Sequence, residues 1–347
     1  MNILIIMPEI QSGGAERQFI YLRNGLIDKG HDVSILLTQS KDNLNYNKVY
    51  SLRKDSRFFA VQELLLMNRI MCINKEKRID WIIVYDVYGH YLIAFLKMSG
   101  FRVLFSERNS GEHKNFIGRM FIKYADKITA NSESAVKILQ SSIKRNDIVC
   151  INNGVDCSNQ LIIRYHQRLI DKPGKIIACI PAKICRVKNQ LEAIKAVLEL
   201  PNIELHMAGK IAEQDYYDEI KRVINNENVH DRVIYDGYIT NMKEYYERFD
   251  VIILPSITEG TPNIVLEAYA LGIVCVVSDI EMNMAICKEK TLSYHLYDSE
   301  DLKRKLVLLS EADIIYLQNV VKKNYDFVKE NHSTSAMVKK YIEVMSK

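Results

Sequence analysis

Two glutamates and two lysines have the residue types and spacing best suited to a chemical task. The string Leu254-Pro255-Ser256-Ile257-Thr258-Glu259-Gly260-Thr261-Pro262-Asn263-Ile264-Val265-Leu266-Glu267-Ala268 follows a short apolar run of strand type and leads into a helical pattern. Thr261 suits an N-cap and Pro262 the first helical position, so a helix is predicted to about Leu271, with Gly272 ending it. The start of such a helix offers unpaired N–H groups and the positive end of the peptide dipole, which together suit a diphosphate. Glu259 lies just before the helix and Glu267 within it. Carboxylates repel phosphate but accept hydrogen bonds from hydroxyls, so sugars are their natural partners.

A second loop, Pro181-Ala182-Lys183-Ile184-Cys185-Arg186-Val187-Lys188-Asn189-Gln190, also joins a strand pattern to a helical one. Lys183 and Lys188 lie close enough across this turn to close on one diphosphate, each charged contact contributing roughly 1.5–3 kcal/mol. A merely basic surface loop would look the same. A third loop, Ser12-Gly13-Gly14-Ala15-Glu16-Arg17, joins the first strand pattern to the first helix. Gly13 and Gly14 allow a ligand close to the backbone. The loop lacks G-x-G-x-x-G, which weighs against a nicotinamide or flavin site.

The elements that must position these loops alternate between short β-branched runs and amphipathic helical stretches, the pattern of parallel sheets covered by helices. Strand-like runs fall at 2–7, 32–38, 81–85, 102–106, 127–130 and 148–152. Helices are predicted at about 15–29, ended by Gly30, and at 61–77. The rhythm breaks at a Pro-Gly turn signal, and a linker is expected over 167–174. A second series follows, with strands at 175–180, 203–207, 232–235, 251–254 and 273–277, and then two or three helices after about residue 301. The fold class is therefore α/β, with two doubly wound domains and ligands bound in a cleft beyond the carboxyl ends of the strands. A chain of 347 residues is long enough for two such domains.

Composition excludes several other classes. The net charge of +4 is too mild to argue for nucleic acid. Seven cysteines without a C-x-x-C pair indicate neither a zinc site nor a disulfide framework, and fit a reducing cytoplasm. The first residues lack the basic start of a signal peptide, and no run approaches the ~20 apolar residues of a membrane span. Contact with a membrane would therefore be peripheral. The stretch 113–127 is predicted as an amphipathic helix with Arg119, Lys123 and Lys127 on one side and Phe116, Met120, Phe121 and Tyr124 nearby. That surface suits anionic lipid, although an ordinary half-buried helix has the same pattern.

Taken together, these segments resemble glycosyltransferase family 4, retaining enzymes of the GT-B fold with two Rossmann-like domains. The resemblance rests on Glu259 and Glu267 within Glu-Gly-Thr-Pro-Asn-Ile-Val-Leu-Glu-Ala, and on Gly13-Gly14-Ala15-Glu16-Arg17. It extends to Asn131-Ser132-Glu133, Asn152-Asn153-Gly154-Val155-Asp156 and the segment from Arg232 to Tyr238. It implies an acceptor-binding domain over 1–166, a nucleotide-sugar-binding domain over 175–330, and a terminal helix over 331–347 that packs back on the first domain.

The resemblance also implies roles. Glu259, Lys183 and Lys188 would be the catalytic residues, Glu259 at the transferred sugar and the lysines on the leaving diphosphate. Gly13, Gly14, Tyr238, Gly260, Thr261, Pro262, Asn263, Ile264 and Glu267 would bind the donor, with Glu267 on the ribose and Tyr238 near the base. No metal or other cofactor is expected. The family usually has Gly-Arg where this chain has Ala182-Lys183, and lysine keeps the charge but loses the planar fork. The family's usual first-domain histidine is replaced by the stretch Ser106-Glu107-Arg108-Asn109, so Arg108, Asn109 and the nearby His113 are the acceptor-side candidates.

The expected activity is retaining transfer from a nucleoside diphosphate sugar, UDP first among candidates, to a saccharide acceptor. A polyprenyl-linked acceptor and surface polysaccharide synthesis, O-antigen or capsule, are implied by analogy, as is a place on the cytoplasmic face of the inner membrane. A GT-B sugar-nucleotide epimerase and a non-catalytic nucleotide-sugar binder are the competing classes.

Overall fold

A computed structural model describes residues 1–7, 14–38, 48–51, 59–85, 90–108, 120–157 and 175–347, without the side chains of 14–16, 59–63 and 90–91. The linker expected over 167–174 lies outside the described residues. The chain forms two compact units, Met1–Gly154 with Thr334–Lys347, and Val155–Ser333. The first passage between units is thus between Gly154 and Val155, earlier than the boundary read at 166.

The first unit carries a seven-stranded, wholly parallel sheet of order β3-β2-β1-β4-β5-β6-β7. The strands are β1 (Asn2–Met7), β2 (Asp32–Leu37), β3 (Val49–Ser51), β4 (Trp81–Tyr85), β5 (Val103–Glu107), β6 (Lys127–Ala130) and β7 (Ile148–Cys150). Successive residues on a strand face opposite sides, and β1 shows what each side meets. Ile3, Ile5 and Met7 share a core with Phe19, Leu22 and Leu26 of α1 (Gly14–Asp28) and with Met337 and Tyr341 of the last helix, Thr334–Ser346. Leu4 and Ile6 pack with Leu66 and Ile70 of α2 (Phe59–Glu76), Leu96 of α3 (His90–Met98) and Leu139 of α4 (Glu133–Ile143). Both faces are covered, so the strands are apolar throughout rather than alternating. Each fully buried aliphatic side chain contributes about 1.5–3 kcal/mol.

The basic, aromatic stretch is not one helix to its end. Residues 109–119 lie outside the description, Met120 to Ile122 are helical, Lys123 and Tyr124 form a turn, and Lys127 opens β6. Arg145 donates to the carbonyls of Lys123 (2.9 Å) and Asp126 (3.0 Å), satisfying backbone groups of the turn that leads into β6. Lys127 is therefore not in helical register with Lys123.

The second unit carries a six-stranded parallel sheet of order β10-β9-β8-β11-β12-β13. These strands are β8 (Ile176–Ile180), β9 (Ile203–Ala208), β10 (Val233–Gly237), β11 (Val251–Leu254), β12 (Val274–Ser278) and β13 (Ser293–Tyr294). Ile176, Ala178 and Ile180 face a core with α5 (Gln190–Val197), α6 (Gln214–Asn226) and α10 (Ser299–Glu311). Cys179, Ile252 and Leu254 face the other side, with α7 (Met242–Tyr246) and α8 (Asn263–Ala270). The remaining helices are α9 (Glu281–Ile286), α11 (Ile314–Asn331) and α12 (Thr334–Ser346), and α12 belongs to the first unit. Strand order reverses between β8 and β11. The loops that follow these two strands, 181–189 and 255–262, contain Lys183, Lys188 and Glu259.

Candidate active site

The geometry of the second unit begins at that switch point, where open α/β sheets hold their ligands. After β8 the chain makes a single 3-10 turn over Arg186–Lys188, and Asn189 leaves it in the left-handed region at φ 52°. The turn carries Lys188 to the loop after β11, where the Ile257 N–H donates to the Val187 carbonyl at 2.9 Å. Lys188 Nζ lies 2.5 Å from Glu259 Oε1, with side chains only 20% and 10% exposed. Two sequence-predicted residues, 71 positions apart, thus form one ion pair. Lys183 is exposed on the same loop, and its carbonyl accepts from the buried Gln190 Nε2 at 2.8 Å.

The loop is braced from the side. The Ile184 N–H donates to the Lys210 carbonyl at 2.9 Å, so the loops after β8 and β9 pair like short strands. Arg186 reaches Asp215 (3.0 Å) and Glu219 (2.9 Å) on α6. From the other side Ser278 Oγ donates to the Ser256 carbonyl (2.6 Å), and Asn283 Nδ2 donates to Ser278 Oγ (3.0 Å). These contacts fix the backbone that carries Lys188 and Glu259.

The helix after Glu259 starts later than predicted. Pro262, not Thr261, is the N-cap, and α8 begins at Asn263. Pro262 has φ −75° and ψ 71°, and the Asn263 N–H donates to the Thr261 carbonyl at 2.8 Å. That is an inverse γ-turn, and its ψ keeps proline out of the helix. Thr261 therefore does not cap, and its buried Oγ1 has no hydrogen-bond partner among the described residues. Glu267 sits one turn into α8 and accepts from the hydroxyl of the buried Tyr246 at 3.2 Å. Tyr238, just past β10, is 44% exposed, with Lys210 Nζ 4.8 Å from its ring centroid. Among the described residues, no group of three or more His, Cys, Asp or Glu could hold a metal ion.

In the first unit, Gly13, Asn109 and His113 lie outside the described residues, and Gly14 opens α1. Arg108 follows β5 but is buried. Its guanidinium donates to Asn153 Oδ1 at 2.8 Å and to the Tyr341 hydroxyl on α12. Those bonds spend it on holding α12. Asn131 Nδ2 donates to the Arg108 carbonyl at 2.9 Å, and Ser132 caps α4 by accepting from the Ala135 N–H at 3.2 Å.

Sequence reasoning did not single out Tyr246, Gln190, or the cluster of His206 with Asp236 and Tyr245. For His206 a signal existed: it is a polar residue within the apolar strand Ile-Glu-Leu-His-Met-Ala, and buried polar side chains need partners.

Residues 12–159 match the family described as Glycosyltransferase Family 4, and residues 163–327 match Glycosyl transferases group 1. An uncharacterized glycosyltransferase of Haemophilus influenzae is 25% identical over 338 residues, covering 90% of this chain and 91% of its own. An Escherichia coli UDP-Gal:alpha-D-GlcNAc-diphosphoundecaprenol alpha-1,3-galactosyltransferase is 25% identical over 159 residues, 44% of this chain and 40% of that one. The Anabaena protein HepE, solved with UDP and glucose, superposes at a TM-score of 0.79 with 15% identity, covering 99% of both chains. With two doubly wound units and matches to glycosyltransferase domains in each half, the chain is a glycosyltransferase of the GT-B fold.

Proposed function

We propose that this glycosyltransferase moves a hexosyl group from a nucleoside diphosphate sugar, with UDP as the nucleotide, to a saccharide acceptor, with retention and without a metal. The observation that carries the proposal is the Lys188–Glu259 pair at the switch point of the second sheet, in the loops before α5 and α8. An ammonium beside a carboxylate serves a sugar diphosphate at its junction. Lysine meets the charge that develops on the phosphate, and glutamate meets hydroxyls of the sugar.

In the reaction, the bond from the anomeric carbon to the phosphate oxygen breaks and the electron pair leaves with the diphosphate. Lys188, Lys183 and the N-terminal end of α8 stabilise that charge. The acceptor hydroxyl bonds to the same face of the anomeric carbon, and its proton passes to the departing phosphate oxygen. Glu259 positions the sugar, backbone groups from Gly260 to Ile264 hold it and the phosphates, Glu267 binds the ribose, and Tyr238 lies at the base. A lipid-linked acceptor in surface polysaccharide synthesis, reached at the cytoplasmic face of the membrane, fits the galactosyltransferase among the relatives. No described helix is long and apolar enough to cross a membrane.

Titration calorimetry with UDP, GDP and ADP, in EDTA, tests the site on the wild type and a Lys188→Ala variant. Selective binding of UDP, weakened about tenfold or more in the variant, is the expected result. No binding of any nucleotide by the wild type would remove the physical basis of the proposal.

A further inference from the structure

Away from the ion pair, the second unit holds a buried polar cluster that the reaction does not use. His206 lies on β9 and is 4% exposed. Its Nδ1 is 2.7 Å from Asp236 Oδ2 and its Nε2 is 2.8 Å from Glu204 Oε1. Hydrogen bonding from His206 holds the Glu204 carboxyl below its usual range, so Glu204 accepts. The same Asp236 oxygen accepts from the Tyr245 hydroxyl at 2.5 Å. Burial pushes the Tyr245 phenol far up, so it stays a donor. Phe249 closes the cluster, edge-on to His206 at 5.2 Å and to Tyr245 at 4.7 Å between ring centroids.

Asp236 is an inserted residue. On β10, Tyr235 pairs with Met207 and Gly237 with Ala208, so Asp236 has no partner on β9 and the register shifts there. Such a bulge bends its strand and re-aims the residues beyond it. Those residues are Gly237, at φ 79°, and then Tyr238. The Gly237 carbonyl accepts from the Gly209 N–H at 2.8 Å, and the Tyr235 hydroxyl donates to the Gly209 carbonyl at 2.7 Å. Gly209, at φ 154°, lies so close to the β8 loop that a Cβ there would stand 2.3 Å from the Ala182 carbonyl oxygen. Contact therefore runs from His206 through the bulge to Gly237, which precedes Tyr238 in the chain, and through Gly209 to the backbone of the β8 loop.

We propose that His206, Asp236 and Tyr245 are positioning residues for the nucleobase end of the donor site, clamping the β10 bulge so that Gly237 and Tyr238 present one fixed surface to the base. This rests on the donor-site reading above. None of the three is among the residues that the donor-site reading sets at the diphosphate, so their loss acts on discrimination between bases, whereas Lys188 acts on all nucleoside diphosphates alike.

The test is the ratio of affinities for UDP, GDP and ADP in wild type, Asp236→Asn, Tyr245→Phe and Lys188→Ala. Tyr245→Phe removes a single hydroxyl and serves if Asp236→Asn does not fold. In Asp236→Asn the preference for the favoured nucleotide is expected to fall about tenfold, and in Tyr245→Phe about threefold. Lys188→Ala is expected to weaken all three and keep the ratio, and a merely destabilised fold would also keep it. An unchanged ratio in both cluster variants overturns the inference. So does a wild type that binds all three equally, which leaves the diphosphate site standing. A wild type that binds none overturns the donor-site reading first.

Discussion

Thr261 carries a buried hydroxyl with no hydrogen-bond partner among the described residues, at a cost of about 1–3 kcal/mol for a neutral group. It stands between Glu259 and α8, where a bound sugar diphosphate would supply oxygens. Thr261→Val keeps the shape and removes the hydroxyl, so it is expected to raise the melting midpoint of the free protein by a few degrees. The same change is expected to weaken nucleotide binding severalfold, read by calorimetry, and binding equal to wild type would mean the hydroxyl serves no ligand. Glu192 is another misfit. Burial pushes its carboxyl up, while the Tyr294 hydroxyl, 3.1 Å away, opposes the shift only in part. A raised carboxyl contributes its stability below the ordinary range near 4.3 and loses it as pH rises through the folded value. Glu192→Gln should therefore melt higher than wild type at pH 8, with the gap closing toward pH 4. A gap independent of pH would trace instead to packing.

Among the elements, strands long enough to show a pattern were legible in the sequence. Residues 2–7, 81–85, 127–130 and 251–254 are strands with the bounds that their apolar runs suggest. β3 and β13 were not legible, because three and two residues carry no periodicity. Proline chemistry misled at α8, where the preference of Pro262 for a first helical position gave way to an inverse γ-turn. Lys188 and Glu259 could be singled out by type and loop, but their meeting depends on the strand order that sets β8 beside β11. The Asp236 clamp was invisible for a related reason: a bulge is a property of two paired strands, and neither strand alone encodes it. The brace at Arg186 belongs to this scale too. Its ion pairs with α6 are exposed, and solvent screening leaves such pairs individually weak. Arg186→Ala is expected to leave the melting midpoint within about two degrees while raising the dissociation constant for the nucleotide a fewfold. A fall in melting midpoint with unchanged binding would show the brace serves stability alone.

For the whole molecule, α12 is the element that joins distant parts of the chain. Trp81 Nε1 donates to the Met345 carbonyl at 3.1 Å, and the Tyr341 hydroxyl meets Ser106 Oγ at 2.7 Å beside Arg108. Met337, Val338, Tyr341, Val344 and Met345 are all buried in the core of the first unit. Tyr341→Phe leaves the buried Arg108 guanidinium short of an acceptor and is expected to cost about 1–3 kcal/mol in urea unfolding. A cost below about 0.5 kcal/mol would mean water replaces the hydroxyl.

The split of the first unit into Met1–Gly154 and Thr334–Lys347 also fixes an order of events at the ribosome. The second unit, made in between, is complete once Ser333 has emerged, whereas the first, although begun earlier, still lacks the helix that covers α1 and Trp81. Vectorial synthesis at ~5–20 residues per second therefore leaves one face of the earlier-made sheet covered by α1 without its partner α12 while the later-made unit closes. A nascent chain stalled just past Ser333 should show a protease-resistant second unit and a digestible first one, and the face that waits is the one a chaperone would hold.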